Sequence, residues 1–426
     1  MRLCLLLMGI TWISFFTAVK KDEKHLRQRR ISLLIGVGTP LAVLGIFKYY
    51  DFFVTSFCDV FHLTPGVLNL ILPVGISFYT FQALSYTIDV YTGKIEKEKS
   101  FLQFALYLSF FPQLVAGPIV KASEFLPQLK ENRKVTLAGL ESGIQILVFG
   151  MFKKVVLADN ISVFVDEVYR SPQIFGSGTV ALAVAAYAIQ IYMDFSGYSD
   201  MAIGCAKCMG YELPVNFNLP YISHNVSEFW KRWHISLSSW LMQYLYIPLG
   251  GNRKGRIRTY VNLMITVLIP AMPSAHFLPG RISSRCRQKC PFRGWIRYPP
   301  EHFSFSPALS DTQPVSGSPY GYKEPVHGDH PTIQSSILHR ARVPLKASLS
   351  SGLHKYSFAI AAIIILCIAT VAAYLRAAKK KEKTVNGFYP VMDLNHFWSL
   401  VIFFVEIGLI LGLAYVKGSP FIYFQF

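Results

Sequence analysis

Apolar runs of membrane length constrain this chain more than any other feature. Leu3 to Val19, Ile31 to Phe47, Leu68 to Val90, Phe101 to Ala116, Leu140 to Leu157, Val180 to Phe195, Phe358 to Leu375 and Phe397 to Val416 are each apolar almost throughout. At 1.5 Å per residue, about 20 such residues cross the hydrocarbon core of a bilayer. Within lipid the backbone must satisfy its own hydrogen bonds, which a helix does locally. The expected fold is therefore all-α and polytopic, with about nine to eleven membrane segments, some short or re-entrant. Composition agrees: 52% of the 426 residues are hydrophobic and 15% charged, less charge than a soluble chain of this length carries. The net charge of +18 fits basic cytoplasmic loops better than nucleic acid, since no zinc finger or RNA-binding motif accompanies it.

Several runs carry local detail. Leu3 to Val19 is followed by KKDEKHLRQRR, whereas a cleaved signal peptide carries its positive charges ahead of the apolar stretch. It reads as a retained membrane helix with a cytoplasmic basic loop. Ile31 to Phe47 reads as a second, short span, and the aromatic stretch Phe52 to Leu63 as an interfacial dip. The third run contains Gln82 and Asp89. Phe101 to Ala116 ends in Ala-Gly-Pro, which places a helix break at Gly117-Pro118. That break is either the wall of a cavity or an ordinary helix end. Lys121 to Lys134 is amphipathic and reads as a surface helix, while Lys153 and Lys154 read as snorkelling to an interface. Asp194 and Asp200 flank Gly197, so they either cap a turn or stand as pocket carboxylates.

Past residue 269 the chain changes character. Pro270 to Ser357 holds 12 of the 24 prolines and 11 Lys and Arg against 4 Asp and Glu in 88 residues. It has no apolar run of membrane length and no sustained helical or strand period, so no secondary structure is expected there. The segment reads as a disordered basic insertion or as sequence translated out of frame. The expected organisation is a membrane core over 1–269, this irregular segment over 270–357, and C-terminal membrane helices over 358–426. Cys205 and Cys208, with Cys286 and Cys290, have the spacing of two half-sites for zinc. The 77 residues between the pairs, with an apolar segment among them, argue against a metal site.

Chemistry concentrates between Pro214 and Gly251, in PVNFNLPYISHNVSEFWKRWHISLSSWLMQYLYIPLGG. A turn-rich loop leads to Asn225, which is placed to cap a helix, with Glu228 three residues on to answer it. A continuous helix from there puts Trp230, His234, Leu237 and Leu241 on one face. An imidazole among Trp and Leu would be kept neutral by burial, and a neutral imidazole can take a proton from a hydroxyl attacking a thioester. The alternative is a hydrogen-bonded histidine that packs a helix. The basic run NRKGRIR beyond it is most simply a cytoplasmic loop.

PVNFNLPYISHNVSEFWKRWHISLSSWL with YIPLGGNRKG, LPVGISFYTFQALSYTIDVY from Leu72, FFPQLVAGPIVKASEFLPQL from Phe110, MDFSGYSDMAIG from Met193 and the terminal PFIYFQF together resemble membrane-bound O-acyltransferases, in the branch of alginate O-acetyltransferases and D-alanyl transfer proteins. The main resemblance runs from Leu72 to about Leu268. It implies transfer of an acyl group, acetyl first among them, to hydroxyls of an extracytoplasmic polysaccharide by a multi-pass protein of the cytoplasmic membrane. Taken with the neutral imidazole, the reading makes His234 the catalytic residue, with Trp230, Trp233, Asn225, Glu228 and Asp200 along the substrate path. No bound cofactor or metal is implied. The donor would be acetyl-CoA or a carrier thioester, and a separate extracytoplasmic protein would receive the acyl group.

Two departures accompany the resemblance. Family members continue into a Leu-Trp-His-Gly motif whose histidine is taken as catalytic, and no such tetrapeptide occurs here. His276, near the expected place, has neither the Trp before it nor the Gly after it, so the resemblance implies an impaired enzyme. Family members also usually carry further hydrophobic segments ahead of Leu3. A transporter or flippase using broken helices, or a non-catalytic membrane scaffold, are the competing classes. Orientation is open to direct measurement. Lys20 to Arg30 and Arg253 to Arg258 should both face the cytoplasm by the positive-inside rule. Single cysteines placed there in a cysteine-free background should react only with reagent supplied from the cytoplasmic side, and labelling from outside alone would overturn the orientation.

Overall fold

A computed structural model describes residues 2–18, 26–61, 75–114, 117–131, 133–266 and 397–413, with isolated positions between 62 and 74. Among these residues the regular structure is helical, without strands. In chain order the helices are α1 (Arg2–Thr17), α2 (Leu26–Phe61), α3 (Ile76–Tyr91), α4 (Phe101–Ser109), α5 (Phe111–Leu114), α6 (Ala122–Lys130), α7 (Leu137–Met151), α8 (Asp159–Arg170), α9 (Ser177–Cys208), α10 (Val226–Arg232), α11 (Ile235–Leu241), α12 (256–266) and α13 (Phe397–Leu413). Two of them, over Arg27–Cys58 and Ser177–Cys208, are long and apolar enough to cross a membrane, and shorter apolar helices lie at Cys4–Thr17 and Leu400–Leu413. Pro270 to Ser357 and the run Phe358 to Leu375 lie outside the described residues.

The helices join around an aromatic core. Phe15 of α1, Tyr86 of α3, Phe104 and Tyr107 of α4 and Phe125 of α6 are buried in one cluster. Tyr86 and Phe104 pack as tilted rings with centroids 4.3 Å apart, and Phe110 and Phe125 with centroids 4.8 Å apart, close to the range where aromatic pairs attract beyond simple burial. A second cluster, with Phe78, Phe195, Phe217, Trp240 and Leu241, adjoins the chemically interesting stretch.

Local chemistry moved several boundaries. The expected second span and interfacial dip are one 36-residue helix, α2, because no Gly or Pro interrupts Phe47 to Leu63. In the third run, helix α3 begins at Ile76. Gly75 sits ahead of it at φ 75°, against the Leu114 carbonyl, where a Cβ has no room. The helix beginning at Phe101 breaks at Phe110, earlier than Gly117-Pro118. Pro112 has no N–H to continue the ladder, and its neighbour Gln113 donates instead from its side chain to the Tyr107 carbonyl at 2.6 Å. Gly117 to Val120 then runs as a buried, non-helical strip. The expected surface helix is α6, and it is more covered than foreseen, with Phe125 fully buried.

The largest change concerns the lysine pair. From Phe152 to Ala158 the chain widens into a π-helix between α7 and α8, a form often found at functional sites. Lys153 and Lys154 point inward rather than snorkelling. Lys153 Nζ lies 2.5 Å from Asp200 Oδ2, and Lys154 Nζ lies 2.6 Å from Asp159 Oδ1 and 2.8 Å from Asp194 Oδ1. Asp194 and Asp200 therefore do not cap a turn: α9 runs unbroken through both. Buried ammonium groups require counter-charges, and helix α9 supplies two of them.

Helices α7 and α9 pack antiparallel through glycines two turns apart. Gly143 faces the Gly204 carbonyl, and Gly150 faces that of Gly197, the small-residue contact that lets membrane helices approach closely. A Cβ on Gly150 would come within 2.7 Å of both the Gly197 oxygen and the Met201 nitrogen. Gly150→Leu should thus overpack the pair and cost about 1–3 kcal/mol, read as a lowered thermal midpoint of the full chain in detergent. An unchanged midpoint would show that the helices separate without penalty.

Candidate active site around His234

The loop after α9 positions the site by threading beside a broken helix. The continuous helix expected from Asn225 onward does not form: α10 ends at Arg232 and α11 starts at Ile235, with His234 between them at φ 45° and ψ 54°. A left-handed non-glycine residue costs about 1–3 kcal/mol and persists only where its surroundings over-determine it. Here they do. Asn218 N donates to the Arg232 carbonyl and Ile235 N to the Asn216 carbonyl, each at 2.9 Å, so the segment 216–218 takes up backbone groups that the break exposes.

The side chain of Asn216 completes the arrangement. It is fully buried, and its Oδ1 accepts from Ser236 N at 3.2 Å and Ser236 Oγ at 2.9 Å, while Nδ2 donates to Ser199 Oγ at 3.2 Å. His234 Nδ1 lies 3.0 Å from the same Oδ1. An amide oxygen offers no proton, so Nδ1 carries the hydrogen and Nε2 presents a lone pair. That Nε2 is buried without a hydrogen-bond partner among the described residues. Around the ring stand Phe195, edge-on with centroids 4.8 Å apart, Phe217 at 6.4 Å and Phe78 at 6.5 Å. Ser236 Oγ also accepts from Ile119 N at 3.0 Å. The strip after Gly117-Pro118 is therefore tied to this site through Ile119.

Other candidate residues fall in different places. Trp233 packs on Phe217, with centroids 5.1 Å apart, and stacks on Phe229, so it flanks the aromatic surround of His234. Trp230 is 45% exposed and faces outward. Asn225 and Glu228 form the expected cap: Asn225 Oδ1 accepts from Glu228 N at 2.8 Å. Glu228 answers one residue earlier than in a standard capping box, accepting from His224 N at 3.1 Å and pairing with Arg232 at 2.8 Å. The His224 amide and the Arg232 guanidinium hold its carboxyl below the usual range. Asp200 is bound to Lys153 on the flank of α9 that meets the π-helix. Asn216 and Ser236 were missed in the sequence. The available signal was an Asn inside an otherwise apolar PVNF run, which a turn-rich loop equally explains.

Residues 94–272 match the family MBOAT, membrane-bound O-acyltransferase, a span that contains Asn216, His234 and Ser236. Over these residues the chain is similar to membrane-bound O-acyltransferases. A Pseudomonas putida protein described as "Probable alginate O-acetylase AlgI" is 43% identical over 272 residues, covering 62% of this chain and 55% of the relative. A Helicobacter pylori peptidoglycan O-acetyltransferase is 39% identical over 291 residues, with the same shares covered. A Streptococcus thermophilus teichoic acid D-alanyltransferase is 30% identical over 190 residues, covering 43% of this chain and 46% of the relative. The chain thus spans about half the length of the curated relatives it matches.

At this site, burial pushes the His234 pKa down from 6.5 to about 3. His234 lies outside both long apolar helices. Above pH 6.5 the imidazole is neutral in both the folded and unfolded chain, and its contribution to stability is fully present. Below 6.5 the unfolded chain takes up a proton that the folded site refuses, so stability is lost as the pH falls from 6.5 toward 3. Between about pH 7 and about pH 5 the thermal midpoint should therefore fall further in the native chain than in His234→Gln. Parallel curves would show that the site does not hold the imidazole neutral.

Proposed function

We propose that this chain transfers an acyl group, acetyl first among candidates, from a thioester donor to hydroxyls of an extracytoplasmic polysaccharide, as a multi-pass protein of the cytoplasmic membrane. One observation supports the chemistry above others: His234 Nε2 is a buried lone pair whose opposite nitrogen is fixed by Asn216. An acceptor hydroxyl placed at Nε2 would lose its proton to the ring as its oxygen attacks the thioester carbonyl. The ring would then return that proton to the departing thiolate, so protons balance over the cycle. The aromatic surround excludes water, which would otherwise hydrolyse the thioester. The donor would be acetyl-CoA or a carrier thioester, entering from the cytoplasmic side, and the acyl group would pass to a separate extracytoplasmic protein before the polysaccharide.

Support for the substrate class comes from the relatives named for alginate, peptidoglycan and teichoic acid, all envelope or exported polymers. His234→Ala should lower acyl transfer roughly a hundredfold, the scale of a lost general base, with membrane insertion intact. Near-normal transfer by an inserted variant would remove His234 from the reaction. The absent Leu-Trp-His-Gly tetrapeptide leads to a further expectation. Acyl release from a thioester by this chain should be slower, by about a hundredfold or more, than by a version carrying an intact motif helix after residue 268. Equal turnover would show that the motif is dispensable.

A further inference from the structure

Helix α9 touches the site with one flank and a buried ionic cluster with another. Toward the site it presents Phe195, edge-on to the His234 ring at 4.8 Å, and one turn later Ser199, whose Oγ holds Asn216 Nδ2 at 3.2 Å. Toward the π-helix it presents Asp194, Gly197 and Asp200. A Cβ on Gly197 would meet the Gly150 carbonyl at 2.8 Å and the Lys154 amide at 3.1 Å, so the two backbones are in direct contact there. Lys153 is bound to Asp200, and Lys154 bridges Asp194 and Asp159. All five side chains are largely buried, the most exposed at 12%.

We infer that this cluster is a positioning device for His234, acting through α9. Glycine packing fixes how closely α7 and α9 approach, but a stripe of glycines resists sliding and rotation poorly. Ion pairs at Asp194 and Asp200, six residues apart on α9, fix both its rotation and its axial register. Within the π-helix, consecutive lysines reach two different carboxylates of α9. Register matters because the hydrogen bond from Asn216 to Ser199 is the tie between α9 and the amide that orients the imidazole. A displacement of about 1 Å at a reacting group can cost a hundredfold in rate. Lys153, Lys154, Asp194 and Asp200 are then positioning residues, none of which meets the substrate. This rests on His234 being the base of the proposed transfer, yet its structural half stands without that chemistry.

The test uses the full chain in detergent or nanodiscs. Removing one partner would strand a buried charge and could unfold the protein, so both are neutralised together in Lys153→Met with Asp200→Leu. Two readouts are taken on protein that retains its native thermal midpoint within a few degrees. One is the rate of ethoxyformylation of His234 by diethyl pyrocarbonate, mapped by peptide mass. The other is acyl transfer, resolved into kcat and KM. The neutral pair should change the His234 modification rate severalfold and lower kcat about tenfold, with KM within about twofold. The exchanged pair Lys153→Asp with Asp200→Lys keeps opposite charges facing and should return the modification rate most of the way to native. Native modification and native kcat in the folded neutral variant would overturn the inference. So would an exchanged variant that folds but stays as altered as the neutral one. If the native chain shows no acyl transfer, the proposed function fails while the modification rates still decide the positioning role.

Discussion

A single amide oxygen carries the local structure of this protein. Asn216 Oδ1 receives hydrogen from Ser236 N, Ser236 Oγ and His234 Nδ1, and all three donors belong to the junction between two short helices. Without that acceptor, a buried break of this kind would leave polar groups stranded, each costing about 1–3 kcal/mol. With it, a histidine occupies a left-handed backbone conformation and turns a bare nitrogen into an aromatic enclosure. The strip after Gly117-Pro118 joins through Ile119 N and Ser236 Oγ, and α9 joins through Ser199. Three separate stretches of chain thus converge on one pair of polar side chains.

Around that point the fold uses two unlike adhesives. Glycine-lined backbone contact between α7 and α9 gives close approach with little specificity of register. The paired lysines and aspartates give register, and removing a single partner costs about 3–5 kcal/mol. The combination suits a site whose chemistry depends on angles and distances of a few tenths of an ångström. It also explains why polar residues recur in runs apolar enough to enter a bilayer: they face other helices, not lipid.

The stretch from Pro214 to Gly251, which resembles membrane-bound O-acyltransferases, divides its residues between two tasks. Asn225, Glu228 and Arg232 cap and brace α10, while Trp233 fills the space behind Phe217. His234 alone among the sequence candidates offers an unused proton acceptor inside the enclosure. The activity proposed for the chain therefore rests on one imidazole and on the groups that hold it, more than on the length of the signature.

Much of this was legible in the residues themselves. Runs of apolar side chains dictate helices wherever the backbone must satisfy itself, and the pair Asn225 and Glu228 announces a helix start through local hydrogen bonds alone. Proline and glycine likewise marked breaks near Gly117, though the helix broke at Phe110 because Pro112 acts on the turn ahead of it. What the sequence could not decide depends on contacts between residues far apart in the chain. Periodicity predicts a continuous helix through His234, and the segment 216–218, with the Asn216 side chain 18 residues earlier, stabilises the break. Lysines next to an apolar run snorkel by default, and carboxylates some 40 residues later, together with the nearby Asp159, make burial favourable. Local propensity is a sum over neighbours in sequence. Desolvated polar groups are settled by whichever partner the tertiary fold delivers, and that partner decided how this protein holds His234.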